Sequence, residues 1–400
     1  MRGLVNLSFF NVLQPTARRA AAPPVQIKSI RPSKQIAGIQ YLRGLAAIMV
    51  VFTHIGGTAT IPKYFGLNLL NGAYGGGAAG VHLFFVISGF IIVYVSVSIQ
   101  TLVKKVSAAE FLSRRFIRVI PFMWICVAGH AFLMLVGRSN EEFPIFPYLR
   151  SLFLFPIGEA LPNQIWTIKH EVLFYLVFCV AILLAKRRLY LLLAWIVSPI
   201  FWSILVNDVL QNSTNLTVFG DFFFSSFNLL FGIGLLIGWL HLKGYLQIRW
   251  KTGNGFLVCL LLCFILFLAA NWLVPFYYNK LIYNSALGLL SGAILLTAIS
   301  VGTEMSSNGF NKLGILLGDA SYSIYLTHCA IISGIYGIWA KFQKSPNPVL
   351  LVLVTGISCC VIGIVVHKTV EKTVIAFLQS WFGKKRTNKI SQYSPNPVNN

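Results

Sequence analysis

Apolar residues along the chain gather into ten long runs separated by short polar segments. The runs fall near residues 39–59, 79–98, 116–137, 164–185, 189–206, 219–240, 255–272, 282–300, 314–339 and 349–366. Most approach the roughly 20 residues that a helix needs to cross the hydrocarbon core of a bilayer. The pattern therefore predicts an all-α, polytopic membrane protein with about ten transmembrane helices. Before the first run, residues 1–36 hold a short apolar patch interrupted by Asn6, Ser8 and Asn11 and followed by Arg18, Arg19, Pro23 and Pro24. A flexible cytoplasmic tail fits this better than a signal peptide. Residues 371–400 read as a second cytoplasmic tail, which leaves 37–370 as the membrane domain.

Composition agrees: 56% of residues are hydrophobic and 10% charged, too apolar a balance for a soluble domain. The excess of 32 Lys and Arg over 10 Asp and Glu would suggest nucleic acid in a soluble protein. Its placement excludes that. With both termini cytoplasmic, the cytoplasmic segments hold 24 of the 32 basic residues and the outer loops six, while Arg43 and Lys169 lie inside spans. The positive-inside rule accounts for this asymmetry. All seven Cys residues sit in apolar stretches, so the chain has no outer disulfide framework, and no paired metal-ligand spacing occurs.

The first run, QYLRGLAAIMVVFTH from Gln40 to His54, holds two polar side chains in an apolar setting. Arg43 and His54 are eleven residues apart, about three helical turns, which puts them on one face roughly 16 Å apart along the axis. Ionisable groups at membrane depth are functional candidates by default. An arginine reaching back to the headgroups, beside a histidine satisfied in the interior, is the other reading.

Further candidates follow along the chain. The stretch GGGAAG (75–80) matches a dinucleotide fingerprint formally, but it opens a membrane helix instead of following a strand, so its glycines are read as close-approach positions. His82 is open to a polar interior role or a catalytic one. Within FLSRRFIRVIP, Arg114, Arg115 and Arg118 either flank a span on the cytoplasmic side or form a phosphate site, since guanidinium forks suit phosphate. The outer loop 138–164 is a lid, an acceptor-facing loop or a connector. In IWTIKHEVLFYLVF, Glu171 and Tyr175 share a face, and Phe174 stands where a zinc-protease motif needs its second histidine. In LGDASYSIYLTH, Ser321, Tyr325 and His328 recur at helical spacing on one face. His367 and Glu371 are placed at the membrane interface.

Taken together, YLRGLAAIMVVFTH, FFVISGF, RRFIRVIP, WTIKHEVLFY and LGDASYSIYLTH, in this order over residues 36–370, resemble acyltransferase family 3. These are the integral-membrane acyltransferases that modify bacterial surface polysaccharides, and the likeness is to the exopolysaccharide-production branch. The chain departs from the pattern at His82, where many members have an acidic residue, and at Lys169 and His170, where many have small ones. The resemblance implies that Arg43 and His54 are the central functional pair. It also implies acyl-CoA, normally acetyl-CoA, as co-substrate with no permanently bound cofactor or metal. The expected activity is then O-acyl transfer to a hydroxyl of a polysaccharide or lipid-linked saccharide, in the bacterial inner membrane. His54 is the candidate base, Arg43 a phosphate or oxyanion partner, Glu171 an orienting carboxylate, and Arg114, Arg115 and Arg118 the CoA site. A transporter or flippase of lipid-linked saccharides is the alternative, with the same polar groups lining its path.

Overall fold

The computed structural model describes residues 36–96, 107–137, 143–184, 188–208, 215–246, 254–274, 279–301, 308–343 and 345–381. The expected N-terminal tail lies outside them, as does the C-terminal tail from residue 382. Among the described residues the secondary structure is helical, without strands.

The opening apolar run forms α1 (Ala37–Ala59). A 3-10 segment (Leu69–Ala78) leads into α2 (Ala79–Ser96), and α3 (Ala108–Gly137) follows. A short α4 (Ile145–Leu152) precedes α5 (Ile165–Leu183), α6 (Arg188–Asp208), α7 (Asn215–Phe223) and α8 (Phe227–Leu242). The remaining helices are α9 (Gly255–Trp272), α10 (Lys280–Ser300), α11 (Gly309–Asp319), α12 (Ser321–Phe342) and α13 (Pro348–Val366).

Nine helical segments among the described residues are long and apolar enough to span a membrane. The tenth expected crossing is the apolar stretch Tyr190–Val206 within α6, at about 25 Å somewhat shorter than a ~30 Å core. Two boundaries differ from the sequence pattern. The run expected over 314–339 is divided at Ala320, whose backbone (φ −83°, ψ −2°) ends α11 before α12 begins. The last helix does not stop near 370: a π-helical turn at His367–Glu371 carries it on to Trp381. The boundary expected at 371 thus falls inside a helix.

α1 is the hub. It packs against the 3-10 segment, α2 and each of α9 to α13, and most of its residues are buried. This encirclement is why polar groups on α1 meet protein and not lipid. The glycine-rich stretch works by close approach, as its composition suggests. A Cβ at Gly77 would collide with the Met49 carbonyl of α1, and one at Gly80 with the Ala46 carbonyl. The most extensive pairing, α2 with α8, uses the same device: Gly89 lies on the Phe231 carbonyl and Gly234 on the Val86 carbonyl. Within the 138–164 loop, α4 is an ordered amphipathic helix. Trp124 Nε1 donates to the Leu152 carbonyl at 2.9 Å and His130 hydrogen-bonds Tyr148 at 2.8 Å, while Ile145, Phe146 and Phe153 face outward. Such a helix suits the membrane interface.

Candidate active site

Five helices, α1, α2, α3, α5 and α12, surround a cavity with about 870 Å³ of space free of protein atoms, part of it open to solvent. Arg43 from α1 and Arg115 and Arg118 from α3 line it, as do Glu171 and Tyr175 from α5 and Ser321 and Tyr325 from α12. Between these polar groups the wall is apolar, with Val81, Phe84, Phe85, Ile87 and Ile91 from α2.

The arginines are held by different means. The Arg115 guanidinium lies 5.3 Å from the Tyr175 ring centroid and 5.7 Å from that of Phe111, so stacking orients it. Arg43 Nη1 donates to Gln40 Oε1 at 3.4 Å, and the charges of Arg118, Glu371, Asp319 and Glu171 all act on it. Three carboxylates near a cluster of guanidinium groups lower the cost of holding those cations at membrane depth. Glu171 accepts from Ser88 Oγ at 3.2 Å and from the Tyr175 hydroxyl. It is therefore an anchored wall residue, bonded to hydroxyls.

Toward the C-terminal end of the α1 axis, hydroxyl groups form the wall. Thr167 Oγ1 donates to the Gln164 carbonyl at 3.0 Å, and the Tyr325 hydroxyl lies 2.6 Å from Thr167 Oγ1 and 3.2 Å from the same carbonyl. Phe84 packs edge-on to Tyr325 at 5.8 Å.

His54 does not line this cavity. It is half-buried on the far side of Tyr325, where its ring lies 4.9 Å from that of the buried His328, itself 5.8 Å from the Tyr325 ring. Arg43 and His54 share a helix face as their spacing predicts. Arg43 lines the cavity and His54 does not, so the two do not open into one chamber. Arg114 also stands apart, its side chain 66% exposed and paired with Glu110 Oε1 at 2.5 Å. Arg115, half-buried, and Arg118, exposed at the cavity's rim, line it, and Arg114 does not.

His82 belongs to a buried network. Its Nε2 donates to Asn284 Oδ1 at 2.7 Å, and Asn284 Nδ2 donates to Ser226 Oγ at 2.6 Å, tying α2 and α10 to the start of α8. His170 lies among the rings of Phe85, Trp166, Phe222 and Phe227, and Lys169 is buried. Neither lines the cavity.

His367 and Glu371 were expected at the interface but are only 6% and 5% exposed. His367 Nδ1 donates to Glu371 Oε2 at 2.8 Å, and Ser323 Oγ donates to the same oxygen at 2.6 Å. The π turn brings these groups against α12. Their i, i+4 spacing was visible in the sequence, but nothing there showed that α12 covers them. For a metal, His54, His328 and Cys329 have donor atoms within 4.8 Å of one another, the one such group among the described residues. Within this group His328 Nε2 and Cys329 Sγ pair at 3.3 Å. All seven cysteines are unbridged.

A helical bundle with nine segments, among the described residues, long and apolar enough to cross a membrane, and with a cavity lined by Arg43, Arg115, Arg118 and Glu171, defines a multi-pass membrane protein with a polar internal site. Residues 36–367 match the profile described as acyltransferase domain (Acyl_transf_3), and the chain belongs to acyltransferase family 3. Among its relatives, the exopolysaccharide production protein ExoZ of Rhizobium meliloti (strain 1021) is 30% identical over 277 residues, covering 64% of this chain and 77% of ExoZ. O-acetyltransferase OatA of Staphylococcus aureus (strain NCTC 8325 / PS 47) is 24% identical over 349 residues, 80% of this chain and 54% of that protein. Peptidoglycan O-acetyltransferase OatA of Listeria monocytogenes serovar 1/2a (strain ATCC BAA-679 / EGD-e) is 25% identical over 337 residues, 75% and 50%. The chain spans about half the length of the OatA proteins. No solved structure gives a significant match.

Proposed function

We propose that the chain is a membrane O-acyltransferase that moves an acetyl or related acyl group from acyl-CoA to a hydroxyl of an exopolysaccharide or other cell-surface saccharide precursor. It acts in the bacterial inner membrane with both termini in the cytoplasm, the orientation that the basic segments favour. The observation that carries this reading is the cavity itself: three arginines at one end, an apolar wall, and Tyr325 at the other end with His328 and His54 behind it.

Each part fits a requirement of the donor. The phosphates of CoA need several cationic donors, and Arg115 and Arg118 supply forks for them. The uncharged pantetheine arm runs along the apolar wall of α2. The thioester then lies toward Tyr325. His54 takes the proton of the acceptor hydroxyl, the alkoxide attacks the thioester carbonyl, and the C–S bond breaks to release CoA, whose thiolate recovers the proton. Arg43 offsets negative charge on the donor side. For attack to occur, the Tyr325 side chain must swing out of its bond with Thr167, or the acyl group must pass by way of a His54 adduct.

A flippase of lipid-linked saccharides would use the same polar groups to line its path. Labelled acetyl-CoA supplied to membranes with and without the protein separates the two. Label in the polysaccharide only when the protein is present supports the enzyme. Saccharide movement with no label incorporated would replace it with the transporter.

A further inference from the structure

We propose that His328 is a positioning residue for His54: its Nε2 accepts a hydrogen bond from one imidazole nitrogen of His54 and leaves the other nitrogen as the bare, basic one. The inference rests on the reading of His54 as the base for acyl transfer.

The donor and acceptor roles follow from one carbonyl. His328 Nδ1 lies 2.6 Å from the backbone carbonyl of Tyr325, and a carbonyl oxygen can only accept. The Nδ1 therefore carries the proton. A neutral imidazole has a single N–H, so Nε2 presents a lone pair. His328 is 0% exposed, and burial without an opposite charge favours the neutral ring. The titratable groups that face the two rings are Tyr325 and Cys329 from α12 itself and, acting on Cys329, Cys359 from α13. None of these is a carboxylate.

The Nε2 lone pair is only lightly engaged. Its partner is Cys329 Sγ at 3.3 Å, and a thiol is a weak donor. The His54 ring is in contact at 4.9 Å between centroids, inclined at 52°. A small rotation of the half-buried His54 brings an N–H onto Nε2 in place of the thiol. Apo hydrogen bonds of catalytic groups are commonly long and tighten in the substrate complex.

The tautomer is then set in sequence from the Tyr325 carbonyl through His328 to His54. When the acceptor O–H breaks, its proton joins the bare nitrogen of His54. The other N–H stays bonded to His328 Nε2, which stabilises the imidazolium. The alkoxide forms the new C–O bond, the thioester C–S bond breaks, and the CoA thiolate takes the proton back from His54. This also explains why Tyr325 faces two ways: its hydroxyl bounds the donor cavity, and its carbonyl fixes His328.

The test uses the full-length protein in lipid nanodiscs with labelled acetyl-CoA and the polysaccharide acceptor. His328→Phe removes the acceptor nitrogen and should lower kcat by roughly 10² to 10⁴-fold, the contribution typical of general base catalysis, with KM for acetyl-CoA within about twofold. Without that partner the His54 imidazolium is less stable, so the acid limb of the kcat/KM profile should move to lower pH. A merely structural defect would scale the profile down without moving it. His328→Gln keeps one donor and one acceptor and should recover at least about tenfold of the loss, and Cys329→Ala should leave kcat within about twofold.

Nitrogen-15 spectra of histidine-labelled protein decide the tautomer independently of turnover. A single tautomer of neutral His54, mixed tautomers in His328→Phe and restoration of the single tautomer in His328→Gln support the proposal. Wild-type kcat and profile in His328→Phe overturn it, as does a stoichiometric bound metal lost in that variant. If wild-type protein transfers no label, the acyltransferase reading fails, and the spectra still report on the histidine pair.

Discussion

Replacing Arg115 or Arg118 by Ala should weaken acyl-CoA binding strongly, whereas Arg114→Ala should not. The three side chains lie within five residues and would be interchangeable if they merely marked the cytoplasmic flank. In the fold they are not. Arg115 and Arg118 line the cavity, while the Arg114 side chain is 66% exposed and held by Glu110 one turn earlier. A guanidinium bonded to phosphate contributes about 1.5–3 kcal/mol, and each 1.4 kcal/mol is a factor of ten, so losing one should raise Kd about 10- to 100-fold. The exposed Arg114 contributes at most a long-range term that salt screens, about twofold or less. Arg115→Lys keeps the charge but loses the fork and its stacking on Tyr175, and should fall between wild type and Ala. The assay is equilibrium binding of labelled acetyl-CoA to purified protein, because KM equals Kd only when chemistry is slow. Equal effects at all three positions, or unchanged affinity in the Arg115 and Arg118 variants, would refute the assignment of this cavity to the donor.

Three further substitutions probe the surrounding structure. Glu371→Ala leaves His367 Nδ1 and Ser323 Oγ without their shared acceptor and should destabilise the protein by about 1–3 kcal/mol for each unpaired donor, read as a lower thermal midpoint in detergent, with Glu371→Gln milder. Gly89→Val forces a side chain onto the Phe231 carbonyl and should cost about 1–3 kcal/mol or more, seen as less monodisperse protein on size-exclusion chromatography. His82→Ala removes the bond to Asn284 and should lower stability by about 1–3 kcal/mol while kcat in the surviving protein stays within about twofold. A large loss of kcat there would return His82 to the catalytic candidates.

The helices were legible because each apolar run is long enough to span and is punctuated by charge, so length alone separates elements. The interruption at Ala320 was harder to see, since Leu-Gly-Asp-Ala-Ser-Tyr carries no proline and its apolar flanks read as one run. The overrun past residue 371 was hidden for the opposite reason. His367, Lys368, Glu371 and Lys372 look like an interfacial end, and only the packing of Ser323 from α12 shows that two of them are buried. In the site, helical periodicity brought Glu171 together with Tyr175 and Ser321 with Tyr325, because both pairs are local. It also aligned Arg43 with His54. It could not show that Tyr325 and Thr167, from helices far apart in sequence, meet at the cavity wall, or that His328 meets His54. Nor could spacing decide which two of the three arginines line the cavity. That depends on where Tyr175 stands on a different helix.

In the proposed enzyme, acyl-CoA is held on one side of Tyr325 and activated from the other, so binding and transfer belong to different residues. Acetyl-CoA affinity and label transfer to polysaccharide, measured on the same preparation of His54→Ala, test this most directly. Affinity within about twofold of wild type, together with loss of transfer by at least about 10²-fold, is the expected result. Transfer that persists in His54→Ala, or affinity that falls along with it, would contradict the account.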